Sequence, residues 1–315
     1  MKRSHGPQAH MKRTVLQACL VLSCTIAAAQ QEVMISQYMF NGLFLNPAYA
    51  GTQGHFSSSL LHRTQWVNME GAPVTSMAAM DAPLLNERMG VGLSIVHDRI
   101  GVSRDLDISG SYAYHLKVSG TGRLSFGLRA GLSLYSARLS ELVHWDADDP
   151  VYQQDIANKA VAKFGAGLYY STDRAFVGLS VPTMHAADGA IRTVTTHGRF
   201  FTEHVYLTAG QVFPLNEYLD IKPSFLVKYE GAAPLQLDLN CNLLYKERLW
   251  LGAGYRSGAA LVAMVEYRIS PKLRTGYAYD MSTSRVRTYA NGGHEIMLGF
   301  DLGGDPVKIK SPRYF

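Results

Sequence analysis

Three groups of side chains in this sequence have the types that chemistry needs. Asp146, Asp148 and Asp149, with Glu141 and Asp155 nearby, supply hard oxygen donors of the kind calcium takes. Their spacing does not match an EF-hand loop, whose ligands stand at fixed positions around a glycine, so the cluster reads as a solvated acidic loop. His185 and His197 flank another loop at no recognisable metal spacing. No metal and no other cofactor is assigned.

A hydrolase built on a barrel wall needs a serine, a histidine and a polar orienter held together. His115 shares one face of its segment with Ser109 and Ser111, but extended backbone puts those two about 13 to 20 Å away, beyond a hydrogen bond within one strand. No motif ties a nucleophile to a base, so the chain does not read as an enzyme. Glu70, Asp98 and Asp105, near loop ends, read as rim charges. The glycine pairs Gly90/Gly92, Gly165/Gly167 and Gly252/Gly254 lie inside alternating segments, where glycine marks bends or close packing rather than a phosphate loop. Nucleotide binding is rejected.

The elements that position these groups begin after an address. Lys12 and Arg13, the mostly apolar run Val15 to Ile26 and the small residues Ala27 to Ala29 form a signal peptide over 1–29, with Met11 a second candidate start and maturation expected near Gln30. The apolar run is shorter than the 18 or more residues of a spanning helix, which sets a membrane anchor aside. Val21 to Cys24 also fits a lipoprotein site, a minor alternative. Four of the 30 Lys and Arg leave with the signal, and 26 then face 25 Asp and Glu. A near-neutral chain without clustered basic residues is no nucleic-acid binder. Cys19 and Cys24 lie in the signal and Cys241 stands alone, so no internal disulfide or cysteine metal cluster is available.

Beyond residue 53 the hydrophobic period is two. Leu235, Leu237, Leu239, Cys241 and Leu243 alternate with Gln236, Asp238, Asn240, Asn242 and Leu244; similar alternation covers 106–117 and 124–135. About fourteen such segments of about 9 to 14 residues are expected, the length a tilted strand needs to cross a bilayer and longer than the strands of soluble sandwiches. The fold class is all-β: a transmembrane outer-membrane β-barrel, antiparallel and up-and-down, over 54–302. Closure leaves no unpaired edge in lipid.

Connections after even strands are short, as at Ser119 to Gly122, Lys246-Glu247 and Ser270-Pro271, and suit the periplasm. The long ones, Ala137 to Val161, Met184 to Glu203 and Ser282 to Gly293, follow odd strands and suit the cell exterior. Glu230 to Ala233 and Ser257-Gly258, also after odd strands, are brief. Both chain ends are then expected in the periplasm. The inward face carries Arg63, Arg129, Lys163, Lys222, Lys228, Asp238, Arg256, Glu266, Arg268, Arg274, Asp280, Glu295 and Asp301. With both signs present, ion-pair ladders across a filled interior are expected rather than a wide pore. Tyr112, Tyr114, Tyr169 or Tyr170, Tyr255, Tyr267, Tyr277 and Tyr279 are candidate interfacial girdles, although strands favour tyrosine anyway.

Between signal and barrel, in the segment 30–53, lies SQYMFNGLFLNPAYAG, Ser36 to Gly51. It is too aromatic for a linker. A short helix is expected there, stopped at Asn46-Pro47 because the residue before proline avoids the α region. Placed immediately before strand one, it is expected on the periplasmic side, packed into the lower mouth with Tyr38, Phe40 and Phe44 buried. Gln37, Tyr38, Phe40, Asn41, Phe44, Asn46, Pro47, Tyr49 and Gly51 are the candidate plug and partner residues. The tail 303–315 ends in Tyr314-Phe315, either an insertion signal or a periplasmic docking element.

The order of several motifs carries a resemblance. Ser36-Gln37-Tyr38-Met39-Phe40-Asn41, Leu45-Asn46-Pro47-Ala48-Tyr49-Ala50-Gly51, Arg63-Thr64-Gln65-Trp66 and Gly71-Ala72-Pro73 open it. Asp98-Arg99-Ile100-Gly101, Gly254-Tyr255-Arg256, Gly276-Tyr277-Ala278-Tyr279-Asp280 and His294-Glu295-Ile296 follow. Together they resemble the PorP/SprF family of type IX secretion system membrane proteins over essentially the whole mature chain. The sequence departs at Gly42, where the family often has proline. The resemblance implies a noncatalytic outer-membrane barrel of Bacteroidota-type secretion and gliding machinery. Its implied neighbours are outer-membrane lipid, periplasmic secretion or peptidoglycan-linking components, and secreted surface proteins such as adhesins. Arg63, Gln65, Trp66, Asp98, Gly101, Arg256, Asp280 and Glu295 are candidate structural marks. A general porin or uptake channel is the alternative.

Overall fold

A computed structural model of the chain describes residues 34–142, 154–185, 204–231 and 233–303. The signal segment, the acidic residues Asp146, Asp148 and Asp149, His197 and the C-terminal tail lie outside them. Alternation drives nearly everything else into strands: β1 (Phe56–Thr64), β2 (Val74–Leu84), β3 (Met89–Ile100), β4 (Ser103–Ser119), β5 (Gly122–Ala137), β6 (Ile156–Ser171), β7 (Ala175–His185), β8 (His204–Gln211), β9 (Phe213–Asn216), β10 (Leu219–Glu230), β11 (Gln236–Tyr245), β12 (Leu249–Arg256), β13 (Ala260–Arg268), β14 (Leu273–Ser282) and β15 (Gly293–Leu302). β8 and β9 both pair with β10 and are separated by Val212 alone, so the wall has fourteen staves. Each neighbour pair is antiparallel, and β15 closes on β1 from Phe56 opposite Leu302 to Thr64 opposite His294.

The polar face points in. On β11, Asp238, Asn240, Asn242 and Leu244 are buried, while Leu239, Cys241 and Leu243 are exposed. A soluble protein would invert this, but a membrane wall meets hydrocarbon outside and satisfies its polar groups inside. Tyr112, Tyr114, Tyr170, Tyr255, Tyr267 and Tyr277 are exposed on the wall. Tyr279 is half-buried, and Tyr169 turns inward.

Three strands exceed the expected length: β4, β5 and β6 have 17, 16 and 16 residues. The β4–β5 hairpin continues past Met89–Tyr114, the last β3–β4 pair, to Ser119–Gly122. β6 starts at Ile156 rather than near Ala162 because it pairs with β5 beyond an irregularity between Tyr135 and Ala137.

One rim carries short turns such as 85–88, 172–174 and 246–248; the other carries the connections 65–73, 138–155 and 283–292. Residues 34–55 lie inside the barrel. They form three single turns, Tyr38–Phe40, Gly42–Leu45 and Pro47–Tyr49, rather than one helix. Asn41, at φ −138°, breaks the first from the second. Asn46 is extended before Pro47 and caps the third turn by accepting from Ala48 N–H at 2.9 Å.

Candidate functional site

The inner wall and the segment it encloses meet in a charged seam at the long-loop end. Arg63, one residue from the end of β1, reaches Asp280 on β14 at 2.6 Å and Glu295 on β15 at 3.0 Å. Glu295 also accepts the backbone N–H groups of Ser36 and Gln37, at 2.8 Å each, and Ser36 Oγ donates to Asp280 at 2.5 Å. Arg256 extends the network, 2.8 Å from Asp238 and 3.8 Å from Asp280. These ions are buried, and each carboxylate here has a cation beside it, the condition under which burial is tolerated. Beside them Asn240 donates to Tyr38 Oη at 2.6 Å.

The rest of the segment descends to the short-turn rim. Phe40 sits edge-on to Trp250 with ring centres 6.0 Å apart, and Asn41 donates to Met297 Sδ at 3.1 Å. The last carbonyls of the Gly42–Leu45 turn, which lack intrahelical donors, are taken up by the wall. Arg129 donates to the Leu43 and Phe44 carbonyls, and Ser180 Oγ donates to the Leu45 carbonyl at 2.6 Å. Asn46 Nδ2 donates to the Leu168 carbonyl at 2.8 Å, and Tyr49 packs edge-on to Tyr169 at 5.5 Å. Gly51, at φ +72°, ends the descent by donating its N–H to Asp81 at 2.8 Å.

Inward glycines make this packing possible. A Cβ at Gly127 would overlap the backbone of Ala48, one at Gly167 the Asn46 side chain, and one at Gly90 the Ala50 carbonyl. Gly42 is itself filled against: a Cβ there would stand 2.6 Å from the Tyr49 ring. Two cavities among the described residues beside the segment are small, ≈ 80 Å³ beside Phe44 and Leu45 and ≈ 40 Å³ between Asn46, Phe176 and Lys222. Each holds at most a few waters. Lys222, itself buried, lies 5.6 Å and 5.5 Å from the Phe176 and Trp250 ring centres.

Of the segment residues singled out in the sequence, Gln37, Tyr38, Phe40, Asn41, Asn46, Pro47, Tyr49 and Gly51 are buried, whereas Phe44 is half-buried beside the larger cavity. The segment is not confined to the short-turn mouth. Its Ser36–Gln37 end reaches the opposite half of the lumen because the paired N–H donors find their acceptor, Glu295, there. Met34, the first described residue, lies near Tyr206 close to the long-loop end of β8, whereas β15 ends at the short-turn rim. The two described ends therefore do not share a side.

The remaining motif residues converge on the long-loop rim without entering the lumen network. Gln65 N–H donates to the Pro73 carbonyl at 3.0 Å, Gly101 N–H to the Gly71 carbonyl at 2.8 Å, and Thr75 Oγ1 to Asp98 at 2.5 Å. Trp66 follows Gln65 at φ +48°. The sequence pattern does not single out Ser180, and it gives no sign that Ser36, Arg129 and Gly127 belong to one site. The signal present was glycine at inward positions of long strands, since such positions leave a groove that something must fill.

No three His, Cys, Asp or Glu side chains form a metal site among the described residues. Asp155 accepts from Ser140 N–H at 3.0 Å, which holds its carboxyl below the ordinary range. His115 finds a serine across the sheet, Ser125 on β5, at 2.7 Å, although no serine of its own strand is in reach. Ser125 is fully buried, and among the described residues no carboxylate hydrogen-bonds to His115.

The sequence model of the family described as type IX secretion system membrane protein PorP/SprF matches residues 27–300. No curated protein matches the chain. Among solved structures, the outer membrane protein Omp33 of Acinetobacter baumannii aligns at 10% identity and TM-score 0.47, over 79% of this chain and 99% of that one. A mutant of the monoaromatic hydrocarbon channel TodX aligns at 12% and 0.48, over 83% and 93%. A Pseudomonas aeruginosa FadL homologue aligns at 12% and 0.43, over 82% and 93%.

Proposed function

The chain belongs to the type IX secretion system membrane protein PorP/SprF family, and from that premise we propose that it is a noncatalytic, non-conducting outer-membrane barrel that supports secretion or surface attachment of partner proteins such as adhesins. The observation that carries this reading is the lumen. Residues 34–51 cross it and are held by the wall at both ends, through Glu295 and Asp81. A chain that fills its own barrel offers cargo no path through it, so the surfaces left for partners are the rims. In this reading the short-turn rim faces the periplasm and its secretion or peptidoglycan-linking components, and the long-loop rim faces the surface protein. A Sec-type signal peptide delivers the chain.

The alternative, a porin or uptake channel, needs the segment to leave. Two measurements separate the readings. Deletion of the gene is expected to abolish surface display of type IX cargo, and normal display would overturn the proposal. Purified full-length protein in planar bilayers is expected to show no sustained large conductance, whereas a variant lacking 34–51 is expected to conduct. Sustained conductance from the full-length chain would favour the porin. Crosslinked recovery from native outer membrane identifies the partner.

A further inference from the structure

Strand parity sorts the ionised side chains of the wall almost completely. Among the described strand residues, the Asp, Glu, Lys and Arg side chains occupy inward positions with two exceptions, Arg99 on β3 and Arg104 on β4. Both are exposed and share the outward parity of Ile95 and Ile108. They are also directly opposite one another in the β3–β4 register. Neither guanidinium forms an ion pair or hydrogen bond with a described residue.

Like charges directly opposite on one face of a sheet repel. The outward neighbours in register do nothing to relieve it: Val74 lies across from Arg99 and Ser136 across from Arg104. An anion set between the two guanidinium groups turns the repulsion into attraction, and phosphate fits the planar forks of arginine bidentately.

Their height says where that anion comes from. Along β4 the outward residues after Arg104, up to the irregularity at Lys117–Ser119, are Leu106, Ile108, Gly110, Tyr112, Tyr114 and Leu116. From Leu106 to Leu116 the strand runs about 34 Å, which at a tilt of about 45° is about 24 Å of height, the whole apolar band of such a barrel. The arginines stand one outward position beyond it, at the level of lipid headgroups, with Ile95 and Ile108 exposed beneath them for acyl chains.

We propose that Arg99 and Arg104 form a two-arginine clamp for the phosphate of a lipid headgroup in the leaflet on the long-loop side. The site is independent of the secretion role, since it needs only that the barrel stand in a membrane.

The test is native mass spectrometry of the full chain in detergent, titrated with lipid A, a phosphorylated glucosamine lipid, and separately with phosphatidylcholine. The wild type is expected to retain lipid A in preference to phosphatidylcholine. Arg99→Gln/Arg104→Gln is expected to lose about tenfold or more in lipid A retention, as removal of charge-assisted hydrogen bonds implies. The Lys/Lys double variant, which keeps charge without the fork, is expected to lose part of it. Arg123→Gln, at the opposite rim and paired with Glu87 at 2.8 Å, is expected to change nothing. Heat-modifiable gel mobility establishes that each variant is folded. Equal retention by the Gln/Gln variant, full retention by the Lys/Lys variant, or displacement of lipid A by equimolar inorganic phosphate would each overturn the clamp.

Discussion

Arg63 and Glu295 lie directly opposite each other in the register between β1 and β15, 232 residues apart in sequence, with Nη1 3.0 Å from Oε2. This pair stands on the seam where first and last strands close the barrel, and Glu295 also holds the backbone of Ser36 and Gln37. Closure of the wall and anchorage of the internal segment therefore share one ion pair.

Removing one partner of a buried network leaves the other charge uncompensated, which costs about 3 to 5 kcal/mol. Arg63→Met is expected to lower the temperature at which the folded band converts to the unfolded one on heat-modifiability gels. Adding Glu295→Gln to that variant is expected to recover part of the loss. Additive losses would show that the two residues do not act as a unit.

Gly127 offers a cleaner test of the internal packing. Gly127→Val has nowhere to place its Cβ except in the Ala48 backbone, and overpacking of this kind costs about 1 to 3 kcal/mol. The segment 34–51 is expected to become accessible to limited proteolysis. Gly110→Val, on the outer wall with open space around it, is expected to leave both stability and protection unchanged.

The two phenylalanines should differ. Phe40, 2% exposed and edge-on to Trp250, is expected to cost about 3 to 5 kcal/mol as Phe40→Ala. Phe44→Ala is expected to cost clearly less, because that ring is half-buried beside an existing cavity. Urea unfolding of the refolded barrel measures both, and equal losses would contradict the packing.

Asn46 uses both ends of its amide: Oδ1 accepts from Ala48 N–H within the segment, and Nδ2 donates to the Leu168 carbonyl of β6. Asn46→Ala removes the cap on Ala48 N–H, worth about 1 to 2 kcal/mol, together with the bond to the Leu168 carbonyl. Asn46→Asp keeps the cap acceptor but sets a carboxylate against that carbonyl, and is expected to be the worse variant. Hydrogen exchange at the Ala48 amide reports the loss.

Much of the wall was legible because a strand's side chains alternate and lipid accepts one class of them. Leu239 and its neighbours illustrate it: Asp238 and Asn240 could belong only to the face away from hydrocarbon. Parity fails where the ladder slips. Tyr169 and Tyr170 were equal candidates for the outer girdle, and only the pairing of β6 with β5 and β7 assigns Tyr169 to the lumen. His115 shows the other limit, since its serine is a cross-strand neighbour that no spacing within one strand reveals.

By itself, then, the sequence determined the chemical division of the wall, the sites of the short turns and the aromatic character of the segment before β1. All three are local: they depend on period, turn residues and composition within a few positions. Only the tertiary structure decided that Ser36 meets Glu295, that Arg129 and Ser180 take the carbonyls of a four-residue turn, and that Arg99 and Arg104 face outward together. The first relation depends on closure of β15 against β1 and spans 259 positions, the second on strands that bring residues 85 to 135 positions apart around one lumen, and the third on the β3–β4 register; none has a signature in the spacing within one element.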